Sequence, residues 1–341
     1  MNTNTDFAKY LGRFLSEYLP HERNMSPNTL ASYRDTFVQY INYMKDVKGL
    51  KIEKLTLDSL TCQCVLDFLA WIQQHRGCGM ATRNYRLAAI HSFVSYLQYE
   101  EIEQLEQWQK VLSIKAVKTE KKAINYLTTD GIKALLNQPD TTTASGRRNL
   151  ALLSLMYDTG ARVQEMIDLT PESLRIESKP YTIRITGKGR KTRIVPLLEE
   201  QVCLLTRYMN ENKLFEIHRL KHPLFYNSRN EKLTRQGVTY ILHTYANLAR
   251  KEHPELIPDA ICCHSLRHSK SMHLLQAGVN VVHLRDVLGH ASIQSTDVYA
   301  RADSKSKREA LEKAYTDLVP EEAKTREWEK NPNLLDWLKS L

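Results

Sequence analysis

One β element interrupts a chain whose other apolar patterns all have the helical period. Residues 181–185 (YTIRI) and 193–197 (RIVPL) alternate in the manner of strands and flank a basic turn, ITGKGRKTR, at residues 185–193. Two such runs around a short turn read as a hairpin. Elsewhere the spacing predicts amphipathic helices. Phe7, Tyr10, Leu11, Phe14 and Tyr18 form one stripe. Ser26 and Pro27 supply an N-cap and a first-turn proline, and Leu30, Tyr33, Phe37, Ile41 and Met44 follow as a second stripe. Val65, Phe68, Leu69 and Ile72 mark a third helix, and Leu87, Ile90, Phe93, Val94 and Leu97 a fourth. The expected fold is mainly α with a small antiparallel β-sheet.

The periodic pattern stops near Lys115, where KAVKTEKK is charged and irregular. With 341 residues the chain is long enough for two domains. We expect a helical domain over 1–114, a linker over 115–124, a second domain over 125–320 and a tail over 321–341. Lys and Arg exceed Asp and Glu by 48 − 39 = 9, a balance that fits a polyanionic partner. No apolar run approaches the ~18 residues of a membrane span. The first residues lack the pattern of a secretory signal. The six cysteines are scattered without metal-ligand spacing, as expected of thiols in a reducing cytoplasm.

The turn ITGKGRKTR has the glycines, lysine and threonine of a phosphate loop. A nucleotide loop needs Gly, four residues, then Gly-Lys-Ser/Thr, after a strand and opening a helix. Here Gly187 and Gly189 stand two apart, Lys191 follows Arg190 instead of glycine, and the right flank is strand-like and contains Pro196. The NTPase reading fails. What remains is a hairpin tip carrying Lys188, Arg190, Lys191 and Arg193, whose plain reading is a solvated basic turn.

The most informative segment is Cys263-His264-Ser265-Leu266-Arg267-His268, which sets a histidine and an arginine three apart on one helical face. His290 follows Arg267 by 23 residues, and Tyr299 follows His290 by 9. Upstream, Arg162 comes just after a glycine turn, with Glu165 three residues on. Taken singly each has a bland reading: an ion-paired arginine, a core histidine, one tyrosine among 17. In order and spacing together, TGARVQEMIDL, ITGKGRKTRIVPL, CHSLRHS, LQAGVN and LGHASIQSTDVYA form a pattern. They resemble the catalytic half of the tyrosine recombinases, the phage integrase family that includes the Xer recombinases. SPNTLASYRDTFVQYI and ATRNYRLAAIHSFVSYL more loosely resemble two helical segments of that family's core-binding domain. The sequence departs from the family pattern at Cys263, at Lys270-Ser271 and at Ala300-Arg301.

The resemblance implies a helical, SAM-like core-binding domain joined to a mixed α/β catalytic domain, the two holding opposite faces of a duplex. It implies that Arg162 and Arg267 clamp the phosphate, Lys188 is the hairpin lysine, His264 and His290 are the active-site histidines, Tyr299 is the nucleophile and Glu165 braces the site. Those residue types suit the chemistry. A tyrosine attacking phosphate stores the bond as a phosphotyrosine, so neither metal nor cofactor is expected. Arginines offer paired, permanent charges to the phosphate. A lysine can protonate the leaving 5′-oxygen, and a histidine can handle the proton at the nucleophile, a role given first to His264. His268, one residue past Arg267, is expected to face elsewhere and serve the fold; His273 and His283 are expected to pack or lie on the surface. Arg83, Arg86, Arg190, Lys191, Arg193, Thr234, Arg235 and Gln236 are the candidate DNA contacts. The implied partners are double-stranded DNA, accessory proteins, and further copies of the chain in a tetramer joined through residues 331–341, where Leu334, Leu335, Trp337, Leu338 and Leu341 form an apolar stripe. The expected function is site-specific recombination for integration, excision or transposition of a mobile element, in the cytoplasm and on the nucleoid. The alternatives are an Xer-type dimer resolvase, a nicking-and-relaxing topoisomerase and a non-catalytic DNA-binding regulator.

Overall fold

A computed structural model describes residues 5–119, 124–187, 189, 191–289 and 299. The chain divides into two compact units, Met1–Lys122 and Ala123–Leu341. Lys188, Arg190, His290 and the 331–341 stripe lie outside the described residues.

The first unit is helical, with α1 (Asp6–Arg13), α2 (Pro27–Asp46), α3 (Cys62–Arg76), α4 (Met80–Glu100) and α5 (Leu105–Leu112). The Ser26 hydroxyl accepts from the Thr29 N–H, and that of Thr61 from the Cys64 N–H, so each stripe starts at its cap. The helix that begins as α1 widens into a π-helical stretch over Phe14–Glu22, with Pro20 inside it. The wider turn rotates the stripe by about one residue, so Leu19 is fully buried where the spacing pointed to Tyr18. Phe93 on α4 lies 5.1 Å, centroid to centroid, from both Phe14 and Phe37. Trp108 on α5 is fully buried and satisfies its indole by donating to the Glu101 carbonyl at 3.0 Å.

The second unit carries a sheet. Its helices among the described residues are α6 (Thr129–Leu136), α7 (Ala144–Thr159), α8 (Val163–Ile167), α9 (Glu199–Glu211), α10 (Arg235–Glu252), α11 (Cys263–Gln276) and α12 (Val281–Leu288). Ala151, Leu152, Leu155 and Met156 bury α7 at the centre, with α9 and α11 packed against it. The strands β1 (Leu174–Arg175), β2 (Thr182–Thr186) and β3 (Thr192–Pro196) form an antiparallel sheet in the order β1-β2-β3. Both hairpin strands sit one residue closer to the turn than the alternation indicated, and the Gly187 N–H closes the turn on the Lys191 carbonyl at 2.8 Å. Ile183, Ile185 and Val195 face the core, and the register sets Arg193 opposite Ile185. Strand alternation therefore turns Arg193 inward with Val195 and leaves Ile194 exposed. No helix of the described residues is long and apolar enough to cross a membrane, and no three potential metal ligands among them cluster.

Candidate active site

The core of α7 ends at Gly160, in the left-handed conformation, and the chain turns at once into Arg162 and α8. Glu165, on the first turn of α8, is almost wholly buried. It accepts from the Arg162 backbone N–H at 3.0 Å, from Arg162 Nη1 at 2.7 Å and from Arg193 Nη2 at 2.8 Å. Burial by itself pushes this carboxyl up, but the bonds from Arg193 and Arg162 win and hold its pKa below the ordinary carboxylate range. The carboxylate thus locks the start of α8 to β3 and fixes the Arg162 guanidinium, which remains partly open to solvent.

Arg267, on α11, is 2% exposed. Its Nη1 donates to the Gly160 carbonyl at 2.6 Å and its Nη2 to the Leu288 carbonyl at 2.7 Å. Each acceptor caps the end of a helix where a backbone carbonyl is left without a partner, so one guanidinium ties together α7, α11 and α12. Burial, then Arg162 and Arg193, press its pKa below the usual arginine value, a sign of cations gathered in a small volume. Two glycines permit the close packing. A Cβ at Gly187 would stand 2.8 Å from Glu165 Oε1 and 3.8 Å from Arg162 Nη1; one at Gly289 would stand 2.9 Å from Arg193 Cδ. An open cleft of about 820 Å³ lies beside them, walled by Arg162, Lys191, Arg193, His283 and the ion-paired Arg285 and Asp286.

The histidines depart from expectation at one point. His268 has a partner that the sequence did not indicate: its Nδ1 lies 2.8 Å from the Tyr299 hydroxyl, and the rings are 5.5 Å apart. It faces away from Arg267, as adjacent helical residues must, but it lies four residues after His264 and so shares that histidine's face; the two rings meet edge-on at 5.8 Å. Tyr299 is 3% exposed and packs among Met272, Leu284 and Leu288. Desolvation, then Arg267 and Arg162, lowers the His264 pKa, and burial with His264 and Arg267 nearby holds His268 at about 4. His273 packs inside, with Nδ1 2.9 Å from the Tyr157 hydroxyl, and His283 is exposed on the cleft.

The candidate DNA contacts divide by surroundings. Arg193 is a buried partner of Glu165, not a solvated tip residue. Arg83 is largely buried beside Asn84, and Arg86 is ion-paired with Asp35 and bonded to the Ser32 carbonyl and Thr36 hydroxyl, bracing α4 on α2. Thr234 caps α10 by accepting from the Gly237 N–H, while Arg235, Gln236 and Lys191 are exposed. The inward turn of Arg193 was available as a signal, since it stands two residues before the apolar Val195 in a strand.

Comparison with known proteins fits this arrangement. Residues 125–306 match the phage integrase family and residues 12–101 match its N-terminal SAM-like domain. The chain belongs to the phage integrase family, the tyrosine recombinases. It is 32% identical over the full length of both chains to y4rC of Sinorhizobium fredii, named as an integrase/recombinase. It is 31% identical to the tyrosine recombinase XerC of Pelotomaculum thermopropionicum, over 87% of this chain and 94% of that one. Among solved structures it shares its fold with the XerH site-specific recombinase in a post-cleavage complex (TM-score 0.69, 22% identity, 91% of this chain and 90% of that one). It shares it also with the Tn1549 transposon integrase in complex with transposon right end DNA (TM-score 0.66, 18% identity, 88% and 98%).

Two outcomes follow from the electrostatics. Arg193→Ala strips a buried carboxylate of one of its two guanidinium partners and is expected to destabilise the second unit by about 3 kcal/mol in denaturant unfolding. An unchanged midpoint would show that Glu165 needs only Arg162. His264, His268 and His273 all have folded pKa values below the ordinary 6.5. The unfolded chain therefore binds more protons at mildly acid pH, so their contribution is complete above about pH 6.5 and is lost as pH falls. Melting temperatures measured from about pH 7 down to about pH 5 should fall, and should fall less in His268→Gln.

Proposed function

We propose that this protein is a site-specific DNA recombinase that cuts and rejoins double-stranded DNA through a 3′-phosphotyrosine at Tyr299. The observation that carries the reading is the gathering of Arg162, Arg267 and Tyr299 around Glu165 and α11, in the order and spacing of the family to which the chain belongs. A scissile phosphate held by the two guanidinium groups would have its developing charge met by donors already fixed in place, which limits reorganisation during the reaction. The Tyr299 oxygen attacks phosphorus, the 5′-oxygen leaves, and the bond energy is kept in the protein–DNA link for resealing. Lys188 is the proton donor to the leaving oxygen. The backbone just before it passes directly over Glu165 and Arg162, as the close approach of Gly187 requires. His290 follows Gly289, packed on Arg193, and supplies a further hydrogen bond to the phosphate. Arg235 and Gln236, exposed at the start of α10, and Lys191 are DNA contacts; the net charge of +9 favours the same partner.

The full-length similarity to y4rC favours integration, excision or transposition of a mobile element. The similarity to XerC supports dimer resolution as the second reading. Either would place the protein in the cytoplasm, on the nucleoid. Residues 331–341 would dock on a neighbouring copy to join a tetramer, their apolar stripe following a charged stretch.

The probe is a duplex that Tyr299→Phe protein selects from a randomised pool, remade with a nick. Wild type should form a covalent adduct, Tyr299→Phe should bind but form none, and Lys188→Ala should form it on the order of 100-fold more slowly, with recovery on a 5′-thiol leaving group. Binding without any wild-type adduct would mark a DNA-binding regulator; an adduct persisting in Tyr299→Phe would overturn the assignment of the nucleophile. Removing residues 331–341 should spare binding of single duplexes and abolish their pairing, and paired complexes surviving the deletion would refute the docking role.

A further inference from the structure

Tyr299 and His268 meet across 31 residues of sequence, beside an apolar cluster that includes Met272, Leu284 and Leu288. Met272 lies one turn after His268 on α11, so the imidazole and the thioether present one face to the tyrosine ring. The hydroxyl is held against the imidazole Nδ1 at 2.8 Å, within the range of a direct proton transfer. His264, one turn earlier, reaches the His268 ring rather than the hydroxyl.

We propose that His268 is a catalytic group, whose Nδ1 takes the Tyr299 hydroxyl proton during attack on DNA and returns it during resealing. The inference rests on Tyr299 being the nucleophile. The neutral imidazole carries its proton on Nε2 and offers the Nδ1 lone pair to the Tyr299 O–H. As the O–H bond breaks, its proton passes to Nδ1 and its electron pair forms the O–P bond. The P–O5′ bond breaks, and the departing oxygen takes a proton from Lys188. The Tyr299 proton stays within the protein on His268 while one proton leaves it from Lys188 to the 5′-oxygen, and resealing reverses both transfers. Burial, His264 and Arg267 keep His268 neutral, and therefore able to accept, in the free protein. A DNA phosphate on Arg162 and Arg267 offsets those positive charges and makes the imidazole a stronger base when it is needed. Arg267 and His268 are consecutive on α11, so the group that holds the phosphate and the group that takes the proton are positioned by one helix.

The test uses the same nicked, selected duplex under single-turnover conditions. His268→Gln should bind the duplex as wild type does and form the adduct about 100-fold or more slowly. Replacing Tyr299 with trifluorotyrosine, whose phenol gives up its proton more readily, should shrink that deficit by about tenfold or more, since less help is then needed. A deficit of the same size with either phenol would make His268 a packing residue, and a His268→Gln rate equal to wild type would remove it from the reaction; both overturn the proposal. In either case a wild-type adduct still supports the recombinase reading. If His268→Gln fails to fold, nitrogen NMR of histidine-labelled full-length protein decides. An unprotonated His268 Nδ1 whose shift moves in Tyr299→Phe is the expected result, and a protonated Nδ1 overturns the proposal.

Discussion

A buried carboxylate between two arginines is the contact on which the rest of the site hangs. Arg162, Arg193 and Arg267 are brought close enough together that, after burial, the first two further depress the pKa of the third. Three such charges in a partly dry volume repel one another by several kcal/mol at protein-like dielectric constants. Glu165 offsets that repulsion, accepting from Arg162 on one oxygen and from Arg193 on the other. It does so from the first turn of a five-residue helix, where its second oxygen also satisfies the Arg162 backbone N–H. The same side chain thereby caps the helix, anchors the hairpin and orients the Arg162 guanidinium.

Arg267 plays the complementary part through neutral partners. Its two bonds to the Gly160 and Leu288 carbonyls use the unpaired ends of α7 and α12, so helix termini that would otherwise need water are closed by the guanidinium. The glycines at 187 and 289 admit the hairpin and the end of α12 to the same small region. Rigid support of this kind matters for catalysis by charge, because a donor that must move on binding loses part of its advantage.

Much of this was legible from the chain. The helical stripes, their caps at Ser26 and Thr61, the Gly160 stop and the hairpin all follow from local periodicity and backbone preference, and each lies within a few residues of where those patterns put it. The π-helical widening after Arg13 was not legible, since an apolar stripe at 7, 11, 14 and 18 fits an ordinary helix and only the packing of Leu19 separates the two. The motifs marked the arginines and Tyr299 because residue type and spacing there resemble the family's pattern. The ion pair of Arg86 with Asp35, by contrast, joins α2 to α4 across 51 residues and leaves no trace in either helix's own pattern.

By itself the sequence determined the family and the elements and marked the candidate site residues, because periodicity and motif spacing are properties of neighbouring residues. Tertiary structure alone decided that the inward-turned Arg193 meets Glu165, and that the imidazole at the Tyr299 hydroxyl is that of His268. Local pattern gives the face on which a side chain stands; what it meets there is set by which elements the core brings together.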